Sequence, residues 1–459
     1  MSTSLPSLSG LPSLTSGSSS TGSSGGIDVA ATVNQLMQAE RIPEQQMQAQ
    51  QATLQQQESA LKDLQSRVGS LQSAADALKD PTGIFSSVSV QSGDTSIFRV
   101  SADPGAVQGM HTVVVDHLAS TSTAHSATLP QTSASFTGNT SFDLTIGNAT
   151  PVTVTFDAQH NTLSAAANYI NGLKLGLTAS VVNGANGSQL VLTSQTSGAA
   201  GQISITNDST GLGMAQGNKG QNALVTIDGI DVESATNTVA DAVPGITLNL
   251  VSAAPGREIT LLASSDTDRI TAAIQNFVAA YNSSISAINS QFQFNTTTNT
   301  SGVLAADTMV RDLQQQLLKL TTNTVDGAGA VSSLRQLGIT MNDDGTLTLD
   351  NATLANALSN NIDGVQTFFQ KDGTGFAVQA ALYLDTLADP TESPIAVDLQ
   401  GIEATSQNLT DSINAFELRM AARQQQLTNE YDRIDVMLEQ FSSTQQQISQ
   451  QLASLKTSS

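Results

Sequence analysis

The strongest constraint on this chain is a seven-residue rhythm near its far end. Ile413, Met420, Leu427, Ile434, Phe441, Ile448 and Leu455 follow one another at intervals of seven without a break, with Phe416, Tyr431, Leu438 and Leu452 beside them. A repeat of 3.5 residues per turn keeps an apolar seam facing a neighbouring helix while the two wind round each other. Each large side chain buried in such a seam contributes roughly 1.5–3 kcal/mol, and a helix standing alone gains almost none of it. The seam therefore requires a partner. Arg423, Glu430, Thr444 and Gln451 stand at or near its second position and weaken it. From Phe441 onward, among Ser442, Ser443 and a glutamine run, order is expected only in an assembly.

A second series lies near the other end. Asp28 can cap a first turn followed by Val29, Val33, Leu36 and Met37 at helical spacing. Pro43 has no N–H to donate and belongs in a first turn, so a boundary is expected near Ile42. Met47, Leu54, Leu61, Val68 and Ala75 then recur every seven residues, with Leu64, Leu71 and Leu78 at the second position. The helix is expected to stop at Asp80-Pro81-Thr82-Gly83. The two series predict antiparallel pairing of both chain ends, meeting near Leu61 and Leu427, with the middle of the chain as a head.

Between Ile84 and about Leu262 the apolar period changes to two. Strands are expected at 88–90, 97–102, 110–117, 141–146, 151–156, 188–194 and 201–208, with a tight hairpin at 223–234 around Asp228-Gly229 and a strand pair within 245–264. One short helix is expected at 163–173. Helical spacing returns at Ser265, where Ser265 and Asp268 form a capping signal, and continues over 304–320, 351–370 and 376–388, with a hairpin at 338–350.

The resulting fold class is α+β and multidomain. An antiparallel coiled-coil or helical-bundle stalk is formed by both chain ends, with antiparallel β-rich head domains inserted. The expected division is a disordered tail at 1–26, terminal leg helices at 27–46 and 435–459, and a helical stalk at 47–83 and 265–434. The first β head domain takes 84–121 and 219–264, the second 122–218. The tail is Ser/Gly-rich and lacks the basic start and apolar core of a cleavable signal.

Little in the 459 residues points to chemistry. Thirty-nine acidic residues against seventeen basic ones give a net charge of −22, which repels nucleic acid and anionic lipid surfaces. No run of residues is long and apolar enough for membrane insertion, and the absence of cysteine removes disulfide and thiolate chemistry. His111 and His117 would share a strand face and could hold a metal only if a third ligand folded across; they read as ordinary exposed or edge histidines. Asn342, Asp343, Asp344 and Asp350 miss the spacing of a calcium loop and read as a turn. No catalytic constellation, cofactor motif or metal site is expected, and the chain reads as a structural protein.

Five stretches together carry a family resemblance. GIDVAATVNQLMQAERIPEQQMQAQQATLQQQESALKDLQSRVGSLQSAADALKD, residues 26–80, resembles the N-terminal region of the flagellar hook-associated protein 2 family, the filament cap proteins. IQNFVAAYNSSISAINSQ, 274–291, with GVLAADTMVRDLQQQL, 302–317, resembles their C-terminal region, as does LRQLGITMNDDGTLTLD, 334–350. VTIDGIDVESATNTVADAVPGITLNLVSAAPG, 225–256, is similar to a motif of flagellin-like and cap proteins.

The resemblance implies a protein secreted by the flagellar type III apparatus that self-associates into a homo-oligomeric cap at the distal tip of the filament. There it would retain flagellin and promote its polymerisation. It implies contact with hook–filament junction proteins before the filament grows, and an export chaperone on the C-terminal helix. The seam residues Met47, Leu54, Leu61, Val68, Leu71, Leu78, Ile413, Met420, Leu427, Ile434, Phe441, Ile448 and Leu455 become the expected contacts with flagellin or neighbouring subunits. A flagellin-like filament or junction subunit, or a fibrous surface adhesin, is the alternative.

Overall fold

The computed structural model describes residues 28–130, 135–136, 139–297, 299–325 and 331–456, so the expected disordered tail at 1–26 lies outside the described residues. The described helices are α1 (Val29–Glu40), α2 (Ile42–Lys79), α3 (Leu163–Gly172), α4 (Thr267–Phe292), α5 (Thr308–Thr322), α6 (Asn351–Gln370), α7 (Phe376–Ala388) and α8 (Pro394–Lys456). Two compact units divide the chain. One comprises Met1–Asp63, Gln291–Asp307 and Pro390–Ser459; the other comprises Leu64–Ser290 and Thr308–Asp389.

The start of α1 follows from its cap: Asp28 Oδ1 accepts the Ala31 N–H at 2.9 Å and satisfies one of the free donors of the first turn. The break at Arg41 follows from Pro43, whose ring cannot continue an α-helix begun upstream. Arg41 Nη1 donates to Glu44 Oε2 at 3.0 Å, so the buried Glu44 carboxylate is paired.

The second unit holds two β modules. In the first, β1 (Val88–Ser92), β2 (Phe98–Ala102) and β3 (Gly109–His117) precede the excursion into the second module. That excursion contributes β4 (Thr121–His125), β5 (Thr140–Ile146), β6 (Val152–Phe156), β7 (Leu177–Gly184), β8 (Gly187–Ser197), β9 (Ile203–Thr206) and β10 (Ala215–Gln216). The chain then returns as β11 (Ala223–Ile227), β12 (Ile230–Ser234), β13 (Thr238–Val243), β14 (Ile246–Leu250) and β15 (Ile259–Ser265).

The first module sets a five-stranded sheet, β1-β15-β3-β11-β12, against a three-stranded sheet, β13-β14-β2. Alternate residues of each point inward, so Val113, Val115, Val225 and Leu261 meet Phe98, Ile246 and Leu248 in one core. The second module likewise combines β10-β4-β8-β7 with β6-β5-β9. Its core takes Leu190 and Leu192 from one sheet, Phe142 and Phe156 from the other, and Leu163, Ala166 and Ile170 from α3. Every described pairing is antiparallel.

The helical part of this unit concentrates the chain's scarce aromatics. Phe85, Phe277, Phe368, Phe369 and Phe376 form one cluster with ring centroids 5.1–6.0 Å apart, where edge-to-face geometry adds to simple burial. Two short hairpins complete the chain: β16 (Phe294–Asn295) with β17 (Thr300–Ser301) in the first unit, and β18 (Ile339–Met341) with β19 (Leu347–Leu349) in the second.

Several local expectations are corrected. The strands within 245–264 do not pair with each other: β14 bonds to β13 and β2, whereas β15 bonds to β1 and β3. The intervening segment crosses between sheets, with the Ala254 N–H donating to the Val115 carbonyl at 2.8 Å. Ser265 is not a helix cap. It ends β15, and its hydroxyl donates to Gln108 Oε1 at 3.3 Å, while Asp266 Oδ1 accepts the Arg269 N–H at 3.0 Å. The helix expected from 304 begins at Thr308, after a turn in which the Asp307 N–H bonds to the Leu304 carbonyl.

Candidate functional site

In the first unit, α1 and α2 run against α8. The Arg423 Nε donates to Glu40 Oε1 at 3.4 Å, and Gln51 Nε2 donates to Thr410 Oγ1 at 2.8 Å. Between these contacts one side advances eleven residues while the other retreats thirteen, which is the behaviour of antiparallel helices in nearly constant register. Val33, Met37 and Leu427 are buried together, and the half-buried Val29, Met420 and Tyr431 pack against them.

That register corrects the expected meeting of Leu61 with Leu427. Leu427 of α8 packs against α1, while Leu61 is more than twenty residues beyond Glu40, roughly 30 Å along a helix.

Further along, α2 and α8 leave a groove of ≈490 Å³ lined by Gln50, Thr53, Leu54, Thr405, Asn408, Leu409 and Ser412. Leu54 and Leu409 are its half-buried apolar members, and the others present amides and hydroxyls. Near the start of α8, burial and then the neighbouring Asp307 hold the Asp398 carboxyl above its usual range.

The proposed seam residues separate into three sets. Met47 and Leu54 are half-buried on α2, and Met420 is half-buried on α8; Leu61, Ile413 and Leu427 are buried. Val68, Leu71 and Leu78 are buried in the second unit. There α2 is tied to helices other than α8. Arg67 Nη1 donates to Ser283 Oγ on α4, Gln72 Nε2 to Asp385 Oδ1 on α7 at 2.9 Å, and Gln370 Nε2 on α6 to the Asp80 carbonyl at 2.7 Å.

The third set is uncovered: Ile434 is 37% exposed, Phe441 70% and Ile448 52%. Leu455 is helical, and its side chain lies outside the described part. The helix continues twenty-five residues past Tyr431, about 37 Å, with this apolar face bare among the described residues.

The reading from sequence missed the first turns of α8. Ile395, Ile402, Leu409 and Phe416 recur at intervals of seven and carry the signal that could have found them.

Comparison with known proteins bears on this arrangement. The profile of the flagellar hook-associated protein 2 C-terminus matches residues 220–443, and that of its N-terminus matches 25–122. The crystal structure of the D1-D2-D3 domains of the Escherichia coli flagellar cap protein superposes with a TM-score of 0.58 at 30% identity, covering 75% of this chain and 99% of that one. The chain belongs to the flagellar hook-associated protein 2 family.

Its relatives in the family include flagellar hook-associated protein 2 of Escherichia coli K12, 29% identical over 461 residues, with 94% of this chain and 97% of that one covered. The B-type flagellar hook-associated protein 2 of Pseudomonas aeruginosa is 28% identical over 409 residues, covering 81% and 84%. The flagellin hook IN motif matches 136–196, within the second β module. As a member of this family the protein is a secreted structural component that caps the flagellar filament and serves flagellin polymerisation.

Proposed function

We propose that the protein sits at the distal tip of the filament as a homo-oligomeric cap whose β modules form the plate and whose terminal helices engage flagellin. Before filament growth the same helices meet hook–filament junction proteins, and during export the end of α8 is held by a cytoplasmic chaperone. The leg helices are 27–46 and 435–459, the helical stalk 47–83 and 265–434, the first β head domain 84–121 with 219–264, and the second 122–218. The observation that carries it is the uncovered apolar face of α8 from Ile434 onward. A face of that length, left in water, forgoes the burial that its seven-residue pattern is suited to.

The test is the double variant F441D/I448D, in cells that make no other cap protein. Both side chains are exposed in the single chain, so the fold and secretion should persist. The charges oppose burial against any partner, so the cells should shed unpolymerised flagellin and lose motility. Normal filaments from cells secreting only this variant would sink the proposal. A fluorescently tagged chain found along the filament, and not at its tip, would favour a filament subunit.

A further inference from the structure

Among the described residues, the first unit holds a groove between α2 and α8 that no ridge fills and a ridge on α8 that no groove covers. The groove at Leu54 and Leu409 is ≈490 Å³, within the range of about 300–1,000 Å³ typical of binding clefts. The ridge is Ile434, Leu438, Phe441, Ile448 and Leu452, spaced by four, three, seven and four so that one helical face carries them all. Their apolar surface is exposed.

Helix continuity prevents the ridge from reaching its own groove. Leu409 and Phe441 are thirty-two residues apart on one unbroken helix, about 48 Å. Contact between them therefore requires a second copy of the chain.

Charge favours that occupant. From Asp398 to Glu439, α8 carries eight carboxylates and three arginines. From Gln440 to Lys456 it carries no carboxylate, and its charge is the single Lys456. Two copies of a chain with net charge −22 repel, and the end of α8 is a stretch of exposed apolar helix that approaches the acidic flanks of the groove without adding to that repulsion. Its polar neighbours match as well: Gln445, Gln446 and Gln447 lie between Phe441 and Ile448, while Gln50, Thr53, Thr405, Asn408 and Ser412 rim the groove.

We infer that the ridge at Phe441 and Ile448 of one copy seats in the groove at Leu54 and Leu409 of the next. This rests on the self-assembly in the proposed function: it adds to the plate of β modules a second contact between copies, and it leaves flagellin to the other faces of the terminal helices. Such a contact is heterologous, with different patches meeting, so it propagates from copy to copy until a ring closes.

The test uses the full, naturally cysteine-free chain. Copies carrying Asn408→Cys, mid-groove, are mixed with copies carrying Gln445→Cys, mid-ridge, and treated with a short bismaleimide. Mid-positions report the contact whichever way the ridge helix runs. The mixed product should exceed either like-with-like product by about tenfold, because the contact raises the effective thiol concentration. Adding Phe441→Ser to the ridge copy should remove that excess.

Several outcomes overturn the inference. Gln445→Cys copies that link mainly to each other would mean that ridge meets ridge. Preferential linking to added flagellin would assign the ridge to that protein. Assembly in sedimentation without mixed linking would overturn the contact and leave self-assembly standing, whereas no assembly at any concentration would overturn both.

Discussion

Replacing Leu427 by Ala tests whether α1 exists by virtue of α8. Leu427 is buried with Val33 and Met37, and the half-buried Val29, Met420 and Tyr431 close the sides of this small cluster. Leu→Ala in a core costs about 2–5 kcal/mol, and the open flanks here let neighbours relax or water enter, which places this site near 2 kcal/mol. That corresponds to a factor of about 30 in the opening equilibrium. The effect should be local, because a helix of twelve residues is marginal without docking and its stability comes from the cluster. Native-state hydrogen exchange would read it: amides of α1 from Val33 to Glu40 should lose about 30-fold in protection, while those of Ala223–Ile227 in the first β module stay unchanged. Undiminished protection across α1 would refute the dependence. An equal loss at Ala223–Ile227 would refute the locality.

Two further outcomes follow from the β modules. The hydrogen bond from His111, then that from the Thr112 amide, holds the Asp228 carboxyl below its usual range, so its stabilisation is present above the unfolded value near 3.9 and is lost as pH falls through the lowered one. Asp228→Asn should thus lower the thermal midpoint at neutral pH, with the gap to the parent closing in acid; a gap constant with pH would contradict this. Gly201 is buried, and a Cβ there would overlap the Thr196 carbonyl oxygen, so Gly201→Ala should destabilise the second module by about 1–3 kcal/mol in denaturant unfolding, and an unchanged midpoint would show that the β8 turn yields freely.

How far the fold could be read from sequence depended on who carried the alternation. ALVTI at β11 alternates bulky inward residues with exposed ones, and Asp228 and Gly229 both adopt the positive φ, 51° and 83°, that a tight hairpin demands. Among the strands that were not expected, β4 hides the same period behind small residues and β7 partly does, whereas β13 buries Val239 and Val243 and loses its alternation to a shift of register between Ala240 and Val243. β4 buries Ser122 and Ala124, and β7 buries Ala179 after its one leucine, Leu177; alanine beside serine and threonine gives little contrast. The pairing of β14 and β15 was misread for a different reason. Neighbours in sequence are the default partners, whereas here the chain changes sheets between β14 and β15, and the bond from Ala254 to Val115 lies on the crossing.

The same division holds at the candidate site. A seven-residue period states that a face must be covered, and it is silent about what covers it. Met47 and Val68 belong to one unbroken series, yet the first lies in the unit containing α8 and the second in the unit of α4 and α7. Partner choice was decided by two facts outside the pattern: the break at Arg41, which sets where α1 can reach, and the register fixed at Glu40–Arg423 and Gln51–Thr410. Given that register, α1 begins at Val29 and α8 runs on for twenty-five residues past Tyr431. The apolar repeat continues across that point without change, since Leu427 is buried and Phe441 exposed within one series. Among the described residues, what separates a covered residue from a bare one is therefore the unequal length of the two partners, twelve residues in α1 and sixty-three in α8, which periodicity on either strand of the pair cannot express. The uncovered remainder is the part of the helix that can act on another molecule, because the covered part is already engaged by its own chain.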